Sequence, residues 1–149
     1  MSAAKPQRVL ILCTGNSARS QMAEGLLRHL SEREIEVHSA GTKPVGVNPL
    51  AIAAMRELAI DISAHHSKSV SEFAGQHFDT VITVCDSAAE SCPFFPGAPR
   101  RIHWSLPDPA AVQGNDAAKI ASFRNVRDAL AAHLKQFVAE RARVRTDEG

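Results

Sequence analysis

The 149-residue sequence has little net charge and no long hydrophobic run. Its 17 Lys and Arg residues nearly balance 16 Asp and Glu residues, so no overall field favours nucleic acid or an anionic membrane as a partner. No apolar stretch approaches the roughly 20 residues that a transmembrane helix needs. The segment from Met1 to Arg8 also lacks the apolar core of a secretion signal. We therefore expect a cytoplasmic protein that binds neither nucleic acid nor membrane.

Cysteine is also scarce. The chain has three cysteines, Cys13, Cys85 and Cys92, an odd number and too few for the disulfide framework of a secreted domain. In a reducing compartment, such cysteines more often serve catalysis or redox chemistry. The length suits one domain with a single core. We predict a single domain over residues 1–149, ordered from about 7 to 142, with a charged tail over residues 143–149.

Short β-like runs alternate with segments of helical periodicity along the chain. This alternation predicts an α/β fold in which helices flank a parallel sheet. The clearest strand is 80–84, and the clearest helix is 116–141, with apolar residues every three or four positions. Asn48 followed by Pro49 predicts the start of another helix. The other predicted elements are strands over about 8–13, 36–39 and 101–104 and helices over about 18–30 and 69–74.

The segment from Cys13 to Ser20 reads Cys-Thr-Gly-Asn-Ser-Ala-Arg-Ser and follows an apolar run. At a strand-to-helix junction, the N–H groups of such a loop can converge on a tetrahedral anion, towards which the helix directs its positive end. Arg19 adds a guanidinium that can hold two anion oxygens. The same surroundings favour Cys13 as the nucleophilic thiolate, and Ser20 is placed to donate its hydroxyl to the sulfur. The candidate oxyanion-binding residues are Thr14, Gly15, Asn16, Ser17, Ala18, Arg19 and Ser20.

A simpler interpretation of this segment is a buried cysteine followed by an ordinary glycine turn. Such a turn does not require Cys, Gly, Asn, Ser and Arg in this order, so we favour the anion-binding interpretation. In parallel α/β sheets, ligands bind at the carboxyl ends of the strands. The predicted elements place Cys13, Cys85 and Asp108 at that edge. For Asp108 the alternative role is that of a turn residue before proline.

The spacing of Cys85 and Cys92 bears on whether they can form a disulfide. If their connector were helical, the two backbones would lie roughly 10 Å apart, beyond the roughly 4.4 to 6.8 Å that a disulfide tolerates. Bonding them would require the connector to unwind or loop out. Alone, Cys85 is compatible with a buried strand-end thiol and Cys92 with an incidental loop thiol. Together with a nucleophile loop, the three cysteines indicate a redox relay.

Further short motifs accompany these residues. They are segments 13–24, 39–41, 46–49, 60–63 and 83–85, the Cys85/Cys92 spacing with Pro93, and His103-Trp104 followed by Asp108-Pro109-Ala110. With these motifs, nearly the whole chain resembles the arsenate reductases built on the low molecular weight tyrosine phosphatase fold, the class commonly recycled by thioredoxin. The nucleophile loop specifies only the phosphatase-like superfamily, whereas the second and third cysteines specify a reductase. The resemblance implies a three-layer domain whose four parallel strands are ordered 2-1-3-4.

The resemblance also implies a mechanism that reduces arsenate to arsenite. Cys13 attacks arsenic, and Asp108 resembles the family's general acid, which protonates the departing oxygen. Cys85 then attacks Cys13 and releases arsenite, and Cys92 attacks Cys85 in turn. Thioredoxin is the expected external reductant, with glutaredoxin and glutathione as the alternative. We expect no bound cofactor, competition by phosphate and sulfate, and a monomer.

Two positions depart from many relatives. Ala18 stands where many have another cysteine, which removes a competing thiol. Some relatives bind potassium behind the anion loop, and three residues here match that site: Asn16, Glu24 and Ser39. Lys68, however, stands where a carboxylate is expected. Because its ammonium can replace the ion, we predict no bound metal.

Two other functions remain open from the sequence. A low molecular weight protein tyrosine phosphatase would use the same loop with water in place of Cys85. The two additional cysteines disfavour this function, as does the absence of tyrosine, since many such phosphatases carry tyrosines beside the site. The other alternative, a non-catalytic oxyanion-binding or redox-sensing module, would not need Asp108. Weak phosphatase activity remains compatible with a reductase.

Overall fold

The computed structural model describes residues 7–90, 95–96 and 99–148. Its centre is a parallel sheet with the strand order β2-β1-β3-β4, which confirms the predicted order. The strands are β1 (Arg8–Cys13), β2 (Glu36–Gly41), β3 (Thr80–Thr83) and β4 (Arg100–His103). The helices are α1 (Arg19–Leu30), α2 (Pro49–Arg56), α3 (Asp86–Glu90) and α4 (Asp116–Glu148), with 3₁₀ segments at Val70–Phe73 and Pro109–Ala111.

Strand β1 lies inside the sheet, between β2 and β3. Its residues 9–12 are completely buried, as expected for a continuous apolar run that is covered on both faces. The register pairs Cys13 with Gly41 of β2, and Leu12 with Thr83 of β3. Cys13 therefore stands at the carboxyl end of the sheet, beside the last residue of β2.

Helices pack around this sheet through their apolar faces. Helix α1 contacts β1, β2 and α4, and α2 packs against α1 and α4. The buried face of α4 consists of Phe123, Val126, Leu130, Leu134 and Phe137, which matches the predicted periodicity. No helix in the described part of the chain is both long and apolar enough to cross a membrane.

Charged side chains join α2 to α4. Arg127, with 7% of its surface exposed, donates one hydrogen bond of 2.8 Å to the Ala54 carbonyl and another of 2.8 Å to Glu57. Arg124 also donates to Glu57. Hydrogen bonds from Arg124 and Arg127 lower the pKa of Glu57 to about 2. The pair of arginines thus satisfies the carboxyl end of α2 and fixes it against α4.

Several element boundaries differ from the sequence prediction. Strand β2 continues past Ser39 to Gly41 because its last two residues pair with Leu12 and Cys13. Helix α4 continues past the predicted end at Arg141 to Glu148, since no glycine or proline interrupts residues 142–148. The Asn48 side chain accepts a hydrogen bond from the Leu50 N–H, and Pro49 is the first residue of α2. Both features confirm the predicted helix start.

Candidate active site

The loop from Cys13 to Arg19, called the anion loop below, has its carbonyl groups held from outside. The next segment of chain, residues 42–48, donates N–H groups to four of them: Thr42 to Cys13 (3.3 Å), Lys43 to Thr14 (2.8 Å), Val45 to Gly15 (3.1 Å) and Asn48 to Ser17 (2.9 Å). The Asn16 carbonyl accepts from the Ser67 hydroxyl at 2.6 Å. Because C=O and N–H point in opposite directions across a trans peptide, these bonds turn the loop's N–H groups inward.

Two backbone features make this tight loop possible. Asn16 adopts a left-handed conformation, with φ of 46°, which asparagine tolerates better than most residues. Gly41 of β2 touches the loop so closely that a Cβ there would lie 2.5 Å from the Thr14 oxygen and 2.8 Å from the Asn16 nitrogen. Only glycine therefore fits beside the anion loop at position 41.

Cys13 has 3% of its surface exposed and accepts a hydrogen bond of 3.2 Å from the Asn16 backbone N–H. Its sulfur also lies 2.8 Å from the Ser20 hydroxyl. Because the Ser20 oxygen already accepts from the Asn16 side-chain amide at 2.8 Å, its hydrogen is free to point at the sulfur. Both contacts fix the position of the Cys13 sulfur within the loop.

The N-terminus of α1 provides the other half of the anion cradle. Its N-cap residue, Ala18, makes no side-chain capping hydrogen bond. The first N–H groups of the helix therefore have no capping side chain to compete with an anion.

Beneath the loop, a chain of hydrogen bonds reaches a buried carboxylate. The Asn16 amide donates to Ser39 at 2.9 Å, and the Ser39 hydroxyl donates to Glu24 at 2.7 Å. Burial raises the pKa of Glu24, but the Ser39 hydrogen bond and the positive charges of Lys68, His65 and Arg28 outweigh burial and leave that pKa below its ordinary value. Glu24 therefore stays ionised and fixes the direction of the chain towards Cys13.

The same carboxylate tests whether a potassium ion fits behind the anion loop. The Lys68 ammonium lies 3.7 Å from the Glu24 carboxylate and donates a hydrogen bond of 3.2 Å to the His66 carbonyl. A cation bound beside Asn16, Glu24 and Ser39 would therefore face a resident positive charge. These residues do not fit a potassium ion, because Lys68 already supplies its charge.

Cys85 lies two residues beyond the end of β3, and its buried thiol contacts the anion loop. Its sulfur lies 3.3 Å from the Thr14 hydroxyl and accepts from the Ala88 N–H of α3 at 3.4 Å. Both Cys13 and Cys85 are free thiols. The connector after Cys85 is helical over Asp86–Glu90. Cys92, the third predicted relay residue, lies outside the described residues.

Arg19 links the anion loop to the loop that carries Asp108. The Arg19 guanidinium donates a hydrogen bond of 2.9 Å to the Leu106 carbonyl. The guanidinium has further N–H groups that can bind an anion. Asp108 is exposed and accepts from the Ala110 N–H at 3.0 Å, at the start of the 3₁₀ segment Pro109–Ala111. The structure thus brings Cys85 to the anion loop, which contains Cys13 and Arg19, and places Asp108 two residues beyond the Arg19 contact.

Sequence reasoning missed the residues that shape the anion loop from outside. The sequence predicts Gly41 only as the end of a strand and part of a motif, and Asn48 only as a helix start. It predicts no role for Gln21, for Ser67 or for residues 42–47. Gln21 donates to the Asn16 side chain at 3.0 Å and accepts from His65 at 2.9 Å. A glycine at the end of a strand next to the nucleophile was the one available signal, since close backbone approach requires it.

Comparisons with known proteins agree with this geometry. The family described as low molecular weight phosphotyrosine protein phosphatase matches residues 8–148. An arsenate reductase of Halalkalibacterium halodurans is 45% identical over 87% of this chain and 93% of its own, and one of Bacillus subtilis is 43% identical over the same shares. Among solved structures, an arsenate reductase in the phosphate binding state has a TM-score of 0.72 at 32% identity, covering 90% of this chain and 98% of its own.

Proposed function

Since the chain belongs to the low molecular weight phosphotyrosine protein phosphatase family, we propose that its anion loop binds arsenate and that the protein reduces it to arsenite. The observation that carries this proposal is the second thiol. The Cys85 sulfur contacts Thr14 of the anion loop at 3.3 Å. Of the two thiols, a phosphatase needs only the Cys13 nucleophile, whereas a reductase also needs a second thiol that attacks Cys13 and so breaks the bond between its sulfur and arsenic. The similarity to arsenate reductases supports the same conclusion.

The first step is attack on arsenic. Arsenate has the shape and charge of phosphate, so the inward N–H groups and Arg19 bind its oxygens. The Cys13 thiolate forms a sulfur–arsenic bond as one oxygen departs. Asp108 donates the proton that lets this oxygen leave as water. The bond from Arg19 to Leu106 holds the loop of Asp108 near the anion.

Electron transfer follows in the second step. Cys85, deprotonated, attacks the Cys13 sulfur, and the sulfur–arsenic bond breaks with its electron pair staying on arsenic. Arsenic falls from the +5 to the +3 state and leaves as arsenite, while two thiols become one Cys13–Cys85 disulfide. The hydrogen bond from the Ala88 N–H and the contact with the Thr14 hydroxyl hold the Cys85 sulfur beside the anion loop for this attack.

Cys92 completes the relay in this proposal. Its thiolate attacks Cys85, which frees Cys13 as a thiolate and leaves a Cys85–Cys92 disulfide. If the helical spacing of α3 (Asp86–Glu90) extended to Cys92, the two residues would be too far apart for a disulfide, and the connector would have to unwind or loop out. An external dithiol, with thioredoxin as the first candidate and glutaredoxin with glutathione as the second, reduces that disulfide. No bound cofactor is needed for any of these steps.

Arsenite production by the purified protein is the direct test. Arsenate is supplied with thioredoxin, thioredoxin reductase and NADPH in one assay, and with glutaredoxin and glutathione in another. We expect steady turnover with one donor system and none with Cys13→Ser. Wild-type protein that releases no arsenite with either donor, and no single equivalent without a donor, would contradict the proposal.

Phosphate monoester hydrolysis is a second candidate activity, because nothing in the anion loop itself selects arsenic over phosphorus. Phosphatase chemistry would require Cys13, Arg19 and Asp108 but not Cys85. Cys85→Ser should therefore abolish arsenate reduction and leave any hydrolysis of p-nitrophenyl phosphate intact. Fast hydrolysis combined with no arsenite production would favour the phosphatase as the main function.

A further inference from the structure

A polar contact outside the anion loop joins the edge strand β4 to the residue that follows Cys85. Asp86, the first residue of α3, lies 2.8 Å from the Nε2 atom of His103. The other ring nitrogen of His103 lies 2.7 Å from the Thr83 hydroxyl at the end of β3. The imidazole thus bridges the last residue of β3 and the first residue of α3, and Cys85 lies between these two points of the chain.

The hydrogen-bond directions follow from the chemistry of the partners. Hydrogen bonds from His103 and Ser105 keep the pKa of Asp86 below its ordinary value, so the carboxylate only accepts. Nε2 of His103 must therefore carry a proton and donate it to Asp86. Nδ1 can then accept from Thr83, or donate to it when the ring is charged, because the Thr83 hydroxyl can turn to the Ile102 carbonyl at 3.5 Å. The bridge persists in both protonation states.

We propose that Asp86 and His103 are positioning residues that fix the backbone on both sides of Cys85 and so hold its thiol against the anion loop. This role rests on the proposed attack of Cys85 on Cys13. When the later part of α3 rearranges for Cys92, the bridge keeps the Cys85 end in place. Without it, α3 keeps the burial of Ala88 and its packing against β1 and β3, but its first residue loses the link to His103. The helix has only five residues and little stability of its own, so this end gains freedom to move.

The bridge acts on Cys85 and not on anion binding. Arg19 lies within electrostatic range of Asp86 and lowers its pKa, so the negative charge of Asp86 weakens the field that Arg19 presents to an anion. Removing this carboxylate should therefore leave anion affinity unchanged or slightly higher. A slower attack by Cys85 in such a variant cannot be explained by weaker anion binding.

The test measures Cys13–Cys85 disulfide formation without arsenate. Hydrogen peroxide transfers one oxygen to the Cys13 thiolate, and Cys85 then attacks the sulfenic sulfur, which releases water and forms the disulfide. Cys92→Ser is the background, so that the disulfide accumulates and peptide mapping can follow it. Sulfate protection of Cys13 against iodoacetamide reports anion binding in the same proteins, and hydrogen exchange reports the amides of residues 86–90.

In Asp86→Ala we expect disulfide formation to fall about twofold to fivefold, the range for a partly exposed charge-assisted pair. Exchange in α3 should become faster, while sulfate protection is not weakened. His103→Gln should give a similar loss, and the double variant little more than either. The reciprocal exchange of Asp86→His with His103→Asp should restore part of the rate. Asp116→Ala, which changes the first residue of α4 instead, should match the parent.

Unchanged disulfide formation in both single variants would overturn the positioning role, as would losses that add fully in the double variant. A parallel loss of sulfate protection would also overturn it, because that pattern indicates general loosening of the site. The assay contains no arsenic. A protein that shows the bridge effect but releases no arsenite would therefore refute the proposed function while the positioning role stands.

Discussion

Gly41→Ala is the substitution that tests most directly how the anion loop is built. The new Cβ would lie 2.5 Å from the Thr14 carbonyl oxygen and 2.8 Å from the Asn16 nitrogen. Both are backbone atoms, so no side-chain rotation can relieve the overlap. Ordinary contact begins at 3.4 Å, and the anion loop or β2 must therefore move by about 0.6 to 0.9 Å.

A displacement of this size is enough to spoil an N–H bond to an oxyanion, because hydrogen bonds weaken steeply away from their best distance and angle. A hydrogen bond to a charged partner contributes about 1.5 to 3 kcal/mol. Loss of one such bond should therefore weaken sulfate or phosphate binding by about tenfold to a hundredfold. The overlap itself should lower the free energy of unfolding by about 1 to 3 kcal/mol.

The matched control is Gly75→Ala. Gly75 has φ of +81° and no atom within 4 Å of the new Cβ, so alanine there strains the backbone by roughly 1 kcal/mol without touching the anion loop. Thermal unfolding gives the stability of both variants, and sulfate protection of Cys13 from iodoacetamide gives anion affinity. Both variants should be less stable than wild type, but only Gly41→Ala should show weaker sulfate binding. Wild-type sulfate affinity in a folded Gly41→Ala protein would refute the reasoning.

Three further predictions follow from the other site residues and from the α2–α4 contact. Asp108→Asn cannot donate a proton, so the rate of Cys13 adduct formation, measured by rapid quench, should fall by a factor of roughly 10² to 10⁴. An unchanged rate under conditions where adduct formation is rate-limiting would show that another residue is the general acid. Cys92→Ser should release about one arsenite per protein and stop as a Cys13–Cys85 disulfide in peptide maps, whereas sustained turnover with thioredoxin would make Cys92 a bystander. Hydrogen bonds from Arg124 and Arg127 lower the pKa of Glu57 to about 2, so its contribution to stability is complete above the unfolded pKa near 4.5 and disappears as pH falls towards 2. In urea unfolding, the stability difference between wild type and Glu57→Gln should therefore shrink from pH 6 to pH 2.5, and a constant difference would show that the charge of Glu57 does not cause it.

Local sequence was sufficient to predict most elements of the fold. The alternation of β-like runs with helical periodicity predicted an α/β fold with a parallel sheet and a first strand over residues 8–13, whereas the strand order came from the family resemblance. Boundaries were less predictable because they depend on partners. Strand β2 runs on to Gly41 only because Cys13 lies opposite, and helix α4 continues to Glu148 because nothing in its sequence stops it.

The sequence by itself was sufficient to predict the anion loop, because Cys13, Arg19 and the N–H groups that would bind an anion lie within one short segment between a strand and a helix. Only the tertiary structure decided what holds that loop in shape. The donors from segment 42–48, the Ser67 hydroxyl and the close approach of Gly41 all join residues distant in sequence. The bridge from His103 to Asp86, which lies beside Cys85 and outside the anion loop, is also a contact between distant residues. Their meeting depends on strand register and loop path, and neither can be calculated from residue type or spacing alone.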